Sequence, residues 1–278
     1  MPGYTISLHF CRALLSVCRS NLLLYEMQGP FAIRSGKSTA ALSQSRQTWY
    51  KYSYRNDYKT INTFKGDPPM QICYLFCALP AGYVPKIDPD DYVVAVDAGY
   101  ARLGGVKPDL VVGDFDSLGY VPEGETVVRL PVHKDDTDTL FAVKLGLEKG
   151  YKKFVILGGV GERLDHTLAN IQALMYLTGR GARGCLVGAN ESLAMIKDGS
   201  LSFAGSPEGI VSVFAYGGTA YGVTLEGLEY PLDGATLTTD YPLGVSNAFT
   251  GRPARVTVEQ GSLLVVWSGG FAQTDLFD

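Results

Sequence analysis

Phe154-Val155-Ile156-Leu157-Gly158-Gly159-Val160-Gly161-Glu162-Arg163-Leu164-Asp165-His166 is the stretch that decides the fold. Its first four residues are apolar and half are β-branched, as in a short strand buried on both faces. Glycines end the run, and Leu164, Leu168, Ile171 and Met175 then recur at helical spacing until Gly179. A buried strand that turns through glycine into an amphipathic helix is the unit from which parallel sheets are built. The pattern extends both ways. Ile72–Ala78, Tyr92–Val96, Leu110–Val112 and Val127–Leu130 read as strands upstream, and Cys185–Val187 reads as one downstream. Leu140, Val143 and Leu147 follow Thr137-Asp138, an N-cap and first-turn pair. Residues 70–190 are therefore expected to form an α/β domain with a doubly wound, mainly parallel sheet.

After about residue 190 the helical period stops. Ile210–Ala215, Val223–Leu225, Ala254–Val258 and Leu263–Trp267 read as strands between glycine-rich turns. Residues 191–278 are expected to form a smaller all-β domain, a sandwich or barrel. Residues 1–69 resemble neither half. They carry nine Lys and Arg against three Asp and Glu, where the remainder carries fifteen against twenty-five. No clean apolar centre precedes a small-residue cleavage site, which argues against a secretory signal. A transit peptide fits the basic composition, but strand-like sequence opening at Met70 favours a leader or extension outside the fold. Gly36-Lys37-Ser38 lacks the upstream glycine and the strand of a phosphate loop.

The 278 residues are 46% hydrophobic with a net charge of −4. A sizeable core is affordable, and no global basic field invites nucleic acid or an anionic membrane. No window of about twenty residues lacks charges and breakers, so no membrane span is expected. Cys11, Cys18, Cys73, Cys77 and Cys185 are odd in number and sparse, which excludes a disulfide framework and favours a reducing, cytoplasmic setting.

Open α/β sheets bind ligands beyond the carboxyl ends of their strands. Asp97-Ala98-Gly99, Gly113-Asp114-Phe115-Asp116-Ser117, Lys134-Asp135-Asp136-Thr137-Asp138 and the run from Gly158 all fall there. A turn after Gly113 lets Asp114 and Asp116 converge, and Asp138 can join them. Crowded carboxylates repel unless a cation neutralises them, and hard oxygen donors suit Mg²⁺ completed by substrate phosphates. Each Asp taken singly is equally a turn or cap residue. The glycines around Gly159, ahead of a helix N-terminus, read as a phosphate cradle, with Arg163 as a forked donor. These residues alone point to a Mg²⁺-dependent enzyme handling a phosphorylated nucleotide, with the acceptor undefined.

The four motifs, in this order and at this spacing over roughly residues 70–270, resemble the thiamine pyrophosphokinase family. The resemblance implies an α/β domain followed by a β-domain, and transfer of pyrophosphate from ATP to the hydroxyl of thiamine with release of AMP. It implies that Asp114, Asp116 and Asp138 are the Mg²⁺-binding and catalytic carboxylates. It assigns Asp97, Gly99, Lys134, Thr137, Gly159 and Arg163 to the nucleotide and Asp165 to the substrate side. Tyr230 stands where relatives often carry a Trp over the thiamine rings, and a phenol can still stack on the cationic thiazolium. Ser246 and Asn247 match a pair contributed to the thiamine pocket, usually across a homodimer interface. Either Asp116 or Asp138 can take the alcohol proton. Two rivals are weighed: a pterin pyrophosphokinase of related architecture, against which Tyr230, Ser246 and Asn247 argue, and a non-catalytic thiamine- or nucleotide-binding module, which has little use for crowded carboxylates.

Overall fold

A computed structural model describes residues 71–278, apart from 162, 206 and 273. The basic segment 1–69 and Gly36-Lys37-Ser38 within it lie outside the described residues. Six strands run parallel: β1 (Ile72–Phe76), β2 (Tyr92–Val96), β3 (Leu110–Gly113), β4 (Val127–Arg129), β5 (Lys153–Leu157) and β6 (Arg183–Val187), in the spatial order β6-β5-β1-β2-β3-β4. Helices α1 (Asp138–Glu148) and α2 (Leu164–Thr178) make the crossovers into β5 and β6. The expected strands and helices of this half are all present, with Thr137 capping α1 by accepting the Leu140 N–H at 3.2 Å.

The chain winds outward from β1 through β2 and β3 to β4, then returns to β5 beside β1 and continues to β6. Both helical crossovers therefore move across the sheet in one direction, and right-handed connection puts them on one face. Ala142, Val143 and Leu145 of α1 and Ile171, Leu174 and Leu177 of α2 pack with Cys73, Leu75, Phe154 and Ile156 in a single core. The opposite face, holding Tyr74, Phe76, Val93, Ala95 and Val155, carries no α-helix among the described residues. Its crossovers are interrupted by Pro80, Pro85, Pro89, Pro108 and Pro122, and a 3₁₀ turn at Asp97–Arg102 with the adjoining Leu103 packs there instead. The second helical layer of a doubly wound sheet is thus replaced by a 3₁₀ turn and loops.

Six further strands follow: β7 (Glu191–Phe203), β8 (Ile210–Ala215), β9 (Ala220–Glu226), β10 (Leu232–Leu237), β11 (Gly244–Ala248) and β12 (Ala254–Ser268). The stretches at 254–258 and 263–267, expected as separate strands, are one strand with a register shift between Val258 and Ser262. The shift lets β12 run beside β7 throughout while its other edge pairs with β9 first and β8 afterwards. Opposite it, Asp198 adopts φ 47° and its Oδ1 accepts the Gly261 N–H at 2.8 Å. Trp267, fully buried, meets Phe203 edge-on at 5.5 Å, and this interior joins the helix-free face of the parallel sheet. β7 pairs antiparallel with β6, from Cys185–Ala194 to Val187–Ser192, so one sheet runs through residue 190.

Candidate active site

The winding reverses between β1 and β5, and the crevice beyond their carboxyl ends is where such sheets take ligands. Gly158 (φ 69°) turns the chain there, and a Cβ on it would meet the Leu79 carbonyl oxygen at 1.9 Å. The buried Asn170 of α2 donates from Nδ2 to the Gly159 carbonyl at 2.7 Å and fixes the turn from below. Asn170 was not among the expected site residues; its only sequence signal is a polar residue on the apolar side of a helix.

The acidic centre is made by two residues in left-handed backbone. Phe115 (φ 63°) sends its ring into the core, where it is 4% exposed. Asp114 and Asp116 flank this inward-turned residue, two positions apart, and each brings a carboxylate oxygen toward Asp97. Asp97 (φ 48°) turns at the end of β2, and its Oδ1 accepts the Phe115 N–H at 3.1 Å. Holding non-glycine residues there takes about 1–3 kcal/mol each, supplied by the surrounding packing. Gly113 is required: a Cβ would lie 2.9 Å from the Asp97 Cα. One oxygen each from Asp97, Asp114 and Asp116 then falls within 4.8 Å of the others. This all-oxygen, all-anionic donor set fits a hard divalent cation.

Asp138 stands beside this group, behind Lys134. The Lys134 Nζ is 2.8 Å from Asp114 Oδ2 and 2.9 Å from Asp138 Oδ1. The second contact is an ion pair, and among the described residues this buried Asp138 oxygen is held by the Lys134 ammonium alone. The two carboxyls are pushed apart electrostatically. Burial raises Asp114, but Lys134 and the Asp116 amide outweigh it and hold the group below the usual carboxylate range. Burial raises Asp138 too, and with Asp114 and Asp97 nearby the single Lys134 does not reverse it. The convergent oxygens therefore belong to Asp97, Asp114 and Asp116, where the sequence expectation had Asp138 in place of Asp97.

The remaining expected residues divide. Gly99 admits the 3₁₀ turn against β1, since a Cβ there would meet the Phe76 carbonyl oxygen at 1.8 Å. Arg163 and Asp165 are exposed at the start of α2 and pair with each other at 2.6 Å. In the β half, Asn247 is buried and uses its amide on the backbone of Tyr230, accepting that N–H at 3.0 Å and donating to its carbonyl at 2.7 Å. Tyr230 itself is 62% exposed. Ser246 (φ 59°) donates its N–H to Ser212 Oγ at 3.0 Å. The hydrogen bonds of these three residues run to one another and to neighbouring strands, not to the acidic group.

Parallel strands ending in gathered carboxylates, a half-buried ammonium and a glycine turn define an α/β enzyme whose site suits anionic, cation-bearing ligands. Residues 86–185 match the model of the thiamin pyrophosphokinase catalytic domain, and residues 203–263 match that of the thiamin pyrophosphokinase vitamin B1 binding domain. The chain is 27% identical over 219 residues to a thiamine pyrophosphokinase of Bacillus subtilis, covering 76% of this chain and 99% of that one. A crystal structure of thiamine pyrophosphokinase from Bacillus subtilis shares the fold, with a TM-score of 0.64 at 24% identity over 71% of this chain and 99% of the other. A thiamin pyrophosphokinase family protein from Enterococcus faecalis gives 0.59 at 26% identity over 72% and 99%. The two matched segments together span more than half of the sequence, and the chain belongs to the thiamin pyrophosphokinase family.

Proposed function

We propose that this chain is a thiamine diphosphokinase that transfers the terminal pyrophosphoryl group of ATP to the hydroxyl of thiamine. The hydroxyl oxygen attacks the β-phosphorus, the bond from that phosphorus to the αβ-bridging oxygen breaks, and AMP leaves with that oxygen. The observation that carries this reading is the convergence of three carboxylates past the parallel strands of a domain matched to this family's catalytic model.

Asp97, Asp114 and Asp116 would hold Mg²⁺, which when bound neutralises charge on the phosphate oxygens. Lys134, Gly99, Thr137 and the Gly158–Gly159 turn line the nucleotide side, and Arg163 contributes a forked donor. Asp138 accepts the hydroxyl proton; its buried oxygen, held by the Lys134 ammonium alone, and its raised carboxyl support that role. Asp165 serves the substrate side. Tyr230 stacks on the thiamine rings with Ser246 and Asn247 around it, and a homodimer brings this surface to a neighbouring subunit's carboxylates. Cys73, Cys77 and Cys185 are free thiols, as a reducing, cytoplasmic setting would keep them; no helix among the described residues is long and apolar enough to cross a membrane. Incubation with ATP, Mg²⁺ and thiamine should release AMP and form thiamine diphosphate. AMP release with a hydroxymethylpterin instead, or with neither acceptor, would overturn the assignment.

A further inference from the structure

Lys134 occupies an unusual place for a phosphate-binding residue. Its ammonium is clamped between two carboxylates, at 2.8 Å from Asp114 and 2.9 Å from Asp138, with only 15% of its side chain exposed. The other Asp114 oxygen accepts the Asp116 N–H at 3.3 Å, so both oxygens of that residue are engaged within the protein. A cation entering among Asp97, Asp114 and Asp116 must share Asp114 with this ammonium or displace it. Lysine is suited to displacement: it is a point charge with three rotatable donors on a flexible four-carbon stem.

We infer that Lys134 is a resident counter-cation that makes tight metal binding depend on the nucleotide. Without nucleotide it neutralises Asp114 and Asp138 and repels a free divalent ion. When the triphosphate arrives, Lys134 pivots to the phosphate oxygens, and Asp114 is released to the cation that the nucleotide brings. Metal and nucleotide then bind as one ligand, and the carboxylates are never left bare. The inference rests on reading the centre as a metal–nucleotide site.

The test is titration of the full chain with Mn²⁺ alone, free Mn²⁺ being counted by electron paramagnetic resonance, in wild type and in Lys134→Met. The variant should bind Mn²⁺ about tenfold or more tightly without nucleotide, because a like charge a few ångströms away is gone. The same variant should need about tenfold more ATP, having lost a charged phosphate partner. Its melting temperature in chelator should fall, and Mn²⁺ should restore more of it than it adds to wild type. Mn²⁺ binding that is unchanged or weaker in Lys134→Met overturns the inference. Absence of Mn²⁺ binding in both proteins overturns it together with the metal centre. Tighter Mn²⁺ binding without any thiamine diphosphate formation sinks only the proposed activity. Should Lys134→Met fail to fold even with Mn²⁺, Lys134→Gln carries the same titration, since its amide keeps a hydrogen bond without the charge.

Discussion

The parallel half and the antiparallel half use polar side chains in opposite ways. At the ends of β2 and β3, left-handed turns at Asp97 and Phe115 aim carboxylates at one another and bring one oxygen of each within reach of a shared ligand. In the β half, Asn247 is buried and turned to the backbone of Tyr230, and the exposed ring of Tyr230 is what it presents. One half holds its chemistry under electrostatic tension; the other uses its polarity to hold shape. A motif match alone hides this difference, because a matched asparagine in the second half acts through the loop it supports.

The sharpest way to break the comparison is at the acidic turn. Asp114→Asn or Asp116→Asn should lower kcat by about 10²–10³ while the protein still folds, measured by AMP release and circular dichroism. Near-normal turnover in both would remove the distinction between the halves. The next contrast lies within the β half. Asn247→Ala leaves the Tyr230 backbone unpaired and should destabilise the fold by about 1–3 kcal/mol, with a raised KM for thiamine. Tyr230→Ala should raise that KM by about tenfold, the worth of one lost ring contact with a cation, and leave denaturant unfolding unchanged. Equal stability of the two variants would contradict the assigned roles.

A third prediction concerns tension at Asp138. Its folded-state carboxyl is raised above its unfolded value, so the charged form favours the unfolded chain at neutral pH. Asp138→Asn should therefore melt higher than wild type at pH 7 while losing turnover. The gain should shrink as pH falls through the raised value and vanish below the ordinary carboxylate range, where Asp138 is protonated in both states. Asp114 has the opposite sign: it stabilises above its unfolded value, and that contribution is lost as pH falls through its lowered one. A gain constant across that window would contradict the raised Asp138. The smallest effect is expected at the chain start: a protein beginning at Met70 should keep full turnover and an unchanged melting temperature.

Much of the parallel half was legible because its strands are continuous apolar runs closed by glycine, proline or aspartate, and its helices keep one period. The β half was harder. β7 was missed because Lys197-Asp198-Gly199-Ser200 reads as a turn, whereas the strand passes through it with Asp198 bonded across to Gly261. Likewise β10 and β11, carrying glycine, aspartate, serine and asparagine, give weak strand signals at sheet edges. At the site, the convergence of Asp114 and Asp116 was readable from Gly113, but the third convergent oxygen was not. Asp97 and Asp138 both follow parallel strands, and only the left-handed bend at Asp97 decides which of them reaches the shared point.

The ladder between β6 and β7 has a mechanical corollary. Three consecutive residue pairs stitch the first half to the second across the shortest of connections. Swinging one half against the other would tear that seam. Traffic of reactants and products is thereby left to the loops around the strand ends, and heating should melt both halves in one step.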